Sequence, residues 1–410
     1  MTGFLNFRNK LWEKHLPQLL FYIALTIELA IVIIDKSNYI NPIEGRLFRI
    51  TFLLFLCKAL LTGYTIKEYC LYAALAVVSV ISYRVTGKND VIRIVTFAAA
   101  CKDIPLKQMI RCAFYVTLSG CIVVVFLAVA GIYGDISLSM DFGREYDALA
   151  GGGIEERRYT LGMGHPNALS CMFLMVTAMG VYAFYERIKW YGYLFLLLLN
   201  FGIYKLTDSK TGMLCTTLLL AGAFVMAYSR FLREKKFAYL CSLLVFLFCL
   251  AFSVDAAVNA PRVREAMMRQ TYYGDPKYEQ GFQEMKIDDH VVALLRIDER
   301  FSGRIVSLTN SANNDGSIET WSAFSSPNNM SYYFDMGWIK LFYRYGVIPG
   351  IIYCIACLSL LWRFYRQKDA AGLVVFTVLA VYSIMEAHLF SVYIGRNFLL
   401  MMMGGYAKRE

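Results

Sequence analysis

The chain has 410 residues with 58% hydrophobic side chains, 18% charged ones and a mean hydropathy of +0.48. Soluble domains carry roughly a quarter charged residues, so the composition excludes a soluble globular protein and calls for repeated membrane crossing. The formal charge of +10 is scattered through short loops between apolar runs, which is a topology signal rather than a nucleic-acid patch.

Arg8, Lys10 and Lys14 precede the first apolar run in the manner of a signal peptide, but no small-residue cleavage site follows, so the run reads as an uncleaved span. Taking about 20 apolar residues per crossing, spans are predicted at 16–34, 47–64, 69–83, 91–101, 109–133, 166–185, 190–206, 211–228, 237–254, 337–362, 370–388 and 397–406. The expected fold is an all-α polytopic membrane protein of about twelve transmembrane helices, with one long extracytoplasmic loop before the third-last helix. Three parts follow: helices 1–9 over residues 1–254, a partly helical external loop over 255–336, and helices 10–12 over 337–410. All eleven cysteines lie in or beside apolar runs and none in 255–335, so that loop is expected to fold by packing, without disulfides.

Lysine and arginine in short connections, among them Lys67, Lys102, Lys107, Arg187, Lys189, Arg230, Arg233, Lys235, Arg363, Arg366, Lys408 and Arg409, put one side of the chain in the cytoplasm together with both termini. Residues 134–164, 207–210, 255–335 and 389–396 then lie outside, and with them His165, His290 and His388, Arg144, Arg157, Arg158, Lys210, Arg304 and Arg396.

Several external stretches carry chemistry. Arg157-Arg158 leads through Leu161-Gly162-Met163-Gly164-His165-Pro166-Asn167 into a span; proline suits the first helical turn, so His165 sits at a cap where the helix dipole favours an anion such as a diphosphate. The same residues serve equally as a plain cap with arginines in the lipid headgroups. Thr207-Asp208-Ser209-Lys210-Thr211-Gly212 is a second external turn entering a helix, with a solvated lysine as the alternative. Arg296, Arg300 and Arg304 recur every four residues beside Leu294, Ile297, Phe301, Ile305 and Leu308, the pattern of an amphipathic helix that Gly303 interrupts, or of a solvated face balanced by Asp298 and Glu299. Asp335 stands just before a span, where partial desolvation would suit a general base and a helix cap is the commoner use. Glu386, His388, Arg396 and Asn397 share one short external turn, and Glu28 lies inside the first span with no evident role. Metal-ligand spacing, P-loops and dinucleotide glycine motifs are lacking, so no cofactor and no metal are expected.

From about Leu161 onward the set Gly-His-Pro-Asn, then Thr-Asp-Ser-Lys-Thr-Gly about forty residues later, then Ser302-Gly303-Arg304, Asp335, Arg344-Tyr345-Gly346 and the closing stretch from Tyr382 to Glu386 with Asn397 resembles the Wzy-type polysaccharide polymerases, which belong with the O-antigen ligases in one membrane glycosyltransferase family. The resemblance implies a bacterial cytoplasmic-membrane enzyme that polymerises undecaprenyl-diphosphate-linked repeat units into capsular or exopolysaccharide on the outer face, without a metal. It implies that external basic residues grip the diphosphate, with Arg304 and Lys210 at matching positions. Together with the external stretches read above, the expected catalytic residues are Arg304, Asp335 and His165 and the expected diphosphate- or glycan-binding residues Arg157, Arg158, Asn167, Lys210, Arg300, Arg344 and Arg396. The ligase branch has a His-Asn pair before the last long span where this chain reads Asp335-Met336, which leaves the base among Asp335, His165 and His290. Lipid-linked glycans, the bilayer, and a flippase and a chain-length regulator of the same pathway are the implied partners, and nucleic acid is not. A ligase of finished glycan and a flippase or transporter are the rival readings; a transporter would place ionisable groups and broken helices near the midplane in repeated halves.

Overall fold

The computed structural model describes residues 2–141, 155–229, 236–271, 288–309, 316–325 and 334–406. Arg144, Arg230, Arg233, Lys235, Lys408 and Arg409 lie outside the described residues. Every apolar run identified above is helical over most of its length. The helices are α1 (Thr2–Asp35), α2 (Glu44–Leu60), α3 (Ile66–Thr86), α4 (Asp90–Ala100), α5 (Leu106–Val129), α6 (Pro166–Phe184), α7 (Trp190–Thr207), α8 (Lys210–Tyr228), α9 (Lys236–Thr271), α10 (Asp289–Arg300), α11 (Gly337–Tyr345), α12 (Val347–Gln367), α13 (Ala370–Met385) and α14 (Phe398–Tyr406). Seven of them are long and apolar enough to cross a bilayer among the described residues, and α13 is a shorter apolar helix. The chain is therefore a multi-pass membrane protein, with seven candidate spans by length and composition among the described residues where about twelve are expected from apolar runs alone.

Burial sorts the helices. The apolar window of α6 is 72% buried, against 17% for α3 and for α5, so α6 is central and the other two face lipid. Around α6 pack α5, α8 and α13, while α9 packs on α13 and α1 on α2 and α5.

Four features depart from the expected layout. First, α9 is 36 residues long, about 54 Å at 1.5 Å per residue, so the boundary expected after Val254 falls inside a continuous helix. Ala256, Ala260, Val263 and Met267 recur at helical spacing and are buried; α9 thereby forms the wall on which α10 and the 3-10 turn Val306–Thr309 pack. Second, the loop before α6 holds an antiparallel hairpin, β1 (Ser137–Asp141) with β2 (Glu155–Tyr159), pairing Leu138 with Arg158.

Third, the single span expected over 337–362 is two helices broken at Gly346. The freed amides of Val347 and Ile348 donate to the carbonyls of Ser322 and Ala323 at 2.9 and 3.0 Å, and Trp321 stacks on Phe342 at 5.0 Å. Gly346 has φ +95°, and a Cβ there would lie 2.6 Å from the Phe324 Cα, so only glycine fits.

Fourth, the turn 386–397 dips to the level of Glu28, one and a half helical turns or more inside α1. A Cβ on Gly395 would lie 3.0 Å from the Glu28 carbonyl oxygen. Glu28 accepts from the Ile394 amide and from Thr51 Oγ1, and pairs with Arg93 at 2.9 Å. Arg93 in turn donates to the Val392 carbonyl at 2.9 Å and lies 4.0 Å over the Phe48 ring. Irregular backbone at membrane depth has to be satisfied within the protein, and the Glu28–Arg93 pair does this.

Gly346→Ala is expected to lower stability by about 2–3 kcal/mol, read as a fall in melting temperature in detergent. Gly202→Ala in α7, where nothing lies within 4 Å of an added Cβ, is expected to be neutral or slightly stabilising.

Candidate functional site

Five chain segments converge at the loop-rich end of the bundle: the end of α1, the start of α6, the turn after α10, the start of α11 and the end of α13. Each arrives for a local reason. Gly162-Met163-Gly164 lies flat against the end of α1, with Gly164 N donating to the Lys36 carbonyl at 2.8 Å and Asn38 N to the Gly162 carbonyl at 3.1 Å. Gly162 has φ +82°, and a Cβ on it would meet the Val124 carbonyl at 2.9 Å. This contact sets His165 beside Lys36.

His165 caps α6, its Nδ1 accepting from Asn167 N at 3.1 Å. Burial, then the charges of Arg158, Lys36 and Arg304, hold the imidazole below its ordinary range. With its affinity for the proton lowered and Nδ1 accepting the amide, it is neutral at pH 7 with the proton on Nε2. The role of base expected of it requires a lone pair that the cap already engages.

Arg304 does not continue the α10 face. Ser302 (φ 59°) and Gly303 (φ 75°) both take left-handed backbone and end the helix, while Arg296 and Arg300 stay exposed on it. Asp298, expected as a solvated counter-charge, is fully buried and accepts from the amides of Ile305 and Val306 at 2.6 and 3.1 Å, which fixes the turn. Arg304 therefore points elsewhere. Its Nη2 donates to Glu386 Oε1 at 3.0 Å and its Nη1 forms an ion pair with Asp335.

The two carboxylates meet on one guanidinium because α11 starts against the end of α13. A Cβ on Gly337 would lie 2.7 Å from the Glu386 carbonyl oxygen and 2.9 Å from that of Ser383. Glu386 keeps 15% of its side chain exposed and Asp335 27%. Burial pushes the Glu386 carboxyl above the usual carboxylate range, against the pull of Arg304 and Lys36. Its affinity for the proton is thus raised above that of an exposed glutamate.

The hairpin splits the expected Arg157–Arg158 pair, because neighbours on a strand face opposite ways. Arg158 turns toward the site and pairs with Glu156 (Nε to Oε2, 3.0 Å) and with Asp208 at 3.5 Å. Arg157 is exposed and donates to Ser137 Oγ at 3.0 Å. Lys210 is exposed in the first turn of α8, its turn tied to Arg158 through Asp208. Three other expected positions are engaged elsewhere: Arg344 pairs with Asp90 at 3.0 Å, Arg396 forms an ion pair with Asp35, and His290 meets Asp255 at 3.0 Å. Sequence reasoning gave Glu386 no catalytic part and passed over Lys36 and the Arg93 partner of Glu28. For Lys36 a signal existed, since a lysine directly after an apolar run on the side assigned outside runs against the positive-inside pattern.

An apolar cleft of about 400 Å³ runs between α3, α4, α12 and α14 and is lined also by Leu341, Tyr345, Leu389 and Phe390; Phe390 in turn packs against Gly337 at the start of α11. Among the described residues no group of His, Cys, Asp and Glu stands close enough to hold a metal ion. No family model, curated protein or solved structure matches the chain.

Arg304→Ala would leave two carboxylates facing each other. With both partly exposed, the expected cost is roughly 1–3 kcal/mol, and adding Glu386→Gln to Arg304→Ala is expected to recover part of it. Thermal unfolding of the single and double variants in detergent reads the coupling.

Proposed function

We propose that the chain is a bacterial cytoplasmic-membrane glycosyltransferase that joins lipid-linked repeat units into capsular or exopolysaccharide outside the membrane, with both termini in the cytoplasm. The observation that carries this reading is the junction of Arg304 with Glu386 and Asp335, flanked by Arg158 and the neutral His165: a proton acceptor and positive charge stand together at the edge of a membrane bundle. Glycosyl transfer from a diphosphate needs both.

In this reading the acceptor hydroxyl attacks the anomeric carbon of the donor glycan and its proton passes to the Glu386 carboxylate. The bond from that carbon to the diphosphate oxygen breaks, and its electron pair leaves with the diphosphate. Arg304 and Arg158 stabilise that charge, the kind of electrostatic term that is commonly largest in catalysis. The His165 Nε2–H donates to the same anion. Asp335 keeps the Arg304 guanidinium oriented, and the cleft beside Leu341 and Phe390 takes the apolar chain of a lipid-linked substrate. We assign the base to Glu386 rather than to Asp335 or His165, because it is the more buried of the two carboxylates on Arg304 and is drawn toward the protonated form.

The test is glycan length on the lipid carrier in cells lacking the protein, complemented with wild type, Arg304→Ala or Glu386→Gln at matched membrane levels. The reading requires long polymer from wild type and single repeat units on the outer face from the deletion and both variants. Units retained on the inner face would indicate a flippase, and long lipid-linked polymer that never reaches its acceptor a ligase. With purified enzyme the rate is expected to rise with pH along an acid limb whose midpoint lies above the ordinary carboxylate range, since only ionised Glu386 accepts a proton. Glu386→Gln should remove that limb and cost on the order of 10²-fold in rate.

A further inference from the structure

The cations at this end of the bundle differ in what they already hold. Arg304 lies between two carboxylates, Arg158 between Glu156 and Asp208, and Arg344 against Asp90. Lys36 is different. Among the described residues no hydrogen-bond partner is found for its ammonium, and the one carboxylate oxygen within 4.0 Å belongs to its neighbour Asp35. That carboxylate is taken by the Arg396 guanidinium and the Tyr393 hydroxyl.

Arg396 is held for this task. Its guanidinium lies 4.0 Å over the Tyr393 ring, and the turn that carries both is anchored to Glu28 and Arg93 through Ile394 and Val392. Were Asp35 unpaired, the adjacent ammonium would be its nearest cation and would be drawn off the site. With Asp35 neutralised, the Lys36 charge bears on His165 and Glu386 instead, and 23% of the side chain stays exposed. An ammonium with three uncommitted donors is a point charge suited to phosphate oxygens.

We infer that Lys36 is the principal diphosphate-binding group of the site and that Arg396 is a positioning residue, which frees Lys36 by capturing Asp35. The inference rests on the proposed diphosphate chemistry and adds a residue outside every motif that suggested it. Arg396 itself, expected from sequence as a binding residue, touches no substrate in this account.

The experiment is calorimetric titration of farnesyl diphosphate into the full-length protein in lipid nanodiscs. Wild type should bind, Lys36→Ala should lose about tenfold or more in affinity, and Lys36→Arg should stay within about threefold. Arg396→Gln should lose as much as Lys36→Ala, because Asp35 then captures the ammonium. Adding Asp35→Asn to Arg396→Gln should restore binding, a rescue that a merely structural role for Arg396 would not give. Asp35→Asn alone should bind at least as well as wild type, which decides the matter if Arg396→Gln fails to fold. No binding by wild type, unchanged binding in Lys36→Ala, weakened binding in Asp35→Asn or no rescue in a folded double variant would each overturn the inference. Lys36-dependent binding by a protein that forms no polymer would instead overturn glycosyl transfer and leave this inference standing.

Discussion

Backbone that leaves the helix inside a bilayer must find hydrogen bonds within the protein, and the architecture at the loop-rich end follows from how this chain meets that requirement. Ionisable side chains supply much of what the broken backbone lacks. Glu28 and Arg93 satisfy the amide of Ile394 and the carbonyl of Val392, and Asp298 satisfies Ile305 and Val306. At the opposite end Asp369 caps α13 through the Gly372 amide at 2.8 Å. The break at Gly346 uses neutral carbonyls instead, those of Ser322 and Ala323. Asp298 and Asp369 complete their own turns locally, whereas the 392–394 turn and the break at Gly346 each need a segment distant in sequence, so these irregular pieces are locked by the rest of the fold.

The remaining charges pair with each other, and the pairs lie on top of this frame. Arg304 can meet both Glu386 and Asp335 only because Asp298 fixes the turn that presents it and Gly337 lets α11 abut the end of α13. Lys36 lies where it does because Gly162-Met163-Gly164 presses on the end of α1. Structural ion pairs at low exposure thus set the geometry, and the more exposed groups keep part of their surface toward solvent. The same sorting separates Arg396 and Arg344, whose carboxylate partners occupy them, from Lys36, whose neighbouring carboxylate is occupied by another residue.

What could be read from one sequence follows this division. The apolar runs located the helices, and His165-Pro166 marked the start of α6, because periodicity and capping are local. The Ser302-Gly303 interruption was legible as a break, though not the direction it gives Arg304. Pairings such as Arg304 with Glu386 or Arg344 with Asp90 join residues 82 and 254 positions apart, and nothing in a single chain's composition encodes them. Two errors were avoidable from local chemistry. Gly346 and Pro349 inside a long apolar run are break signals, and the alanine spacing after Val254 extended a helix that the polar residues between them had hidden. The two adjacent arginines at 157 and 158 looked like a pair because the hairpin, with its alternating faces, was not anticipated.

The length of α9 has a mechanical meaning. One helix crosses the bilayer and continues for several turns as the wall that supports α10, with Phe252 edge-on to Phe301 at 6.1 Å just before the turn that presents Arg304. A span that extends in this way cannot tilt alone. Helices answer a thinner or thicker hydrocarbon layer chiefly by changing tilt, at a cost of fractions of a kcal/mol per Å of mismatch, and here any such tilt carries the Arg304 turn with it. Because α9 also packs on α11 and α13, the Arg304 turn and the two helix ends that bear its carboxylates are carried by one and the same helix.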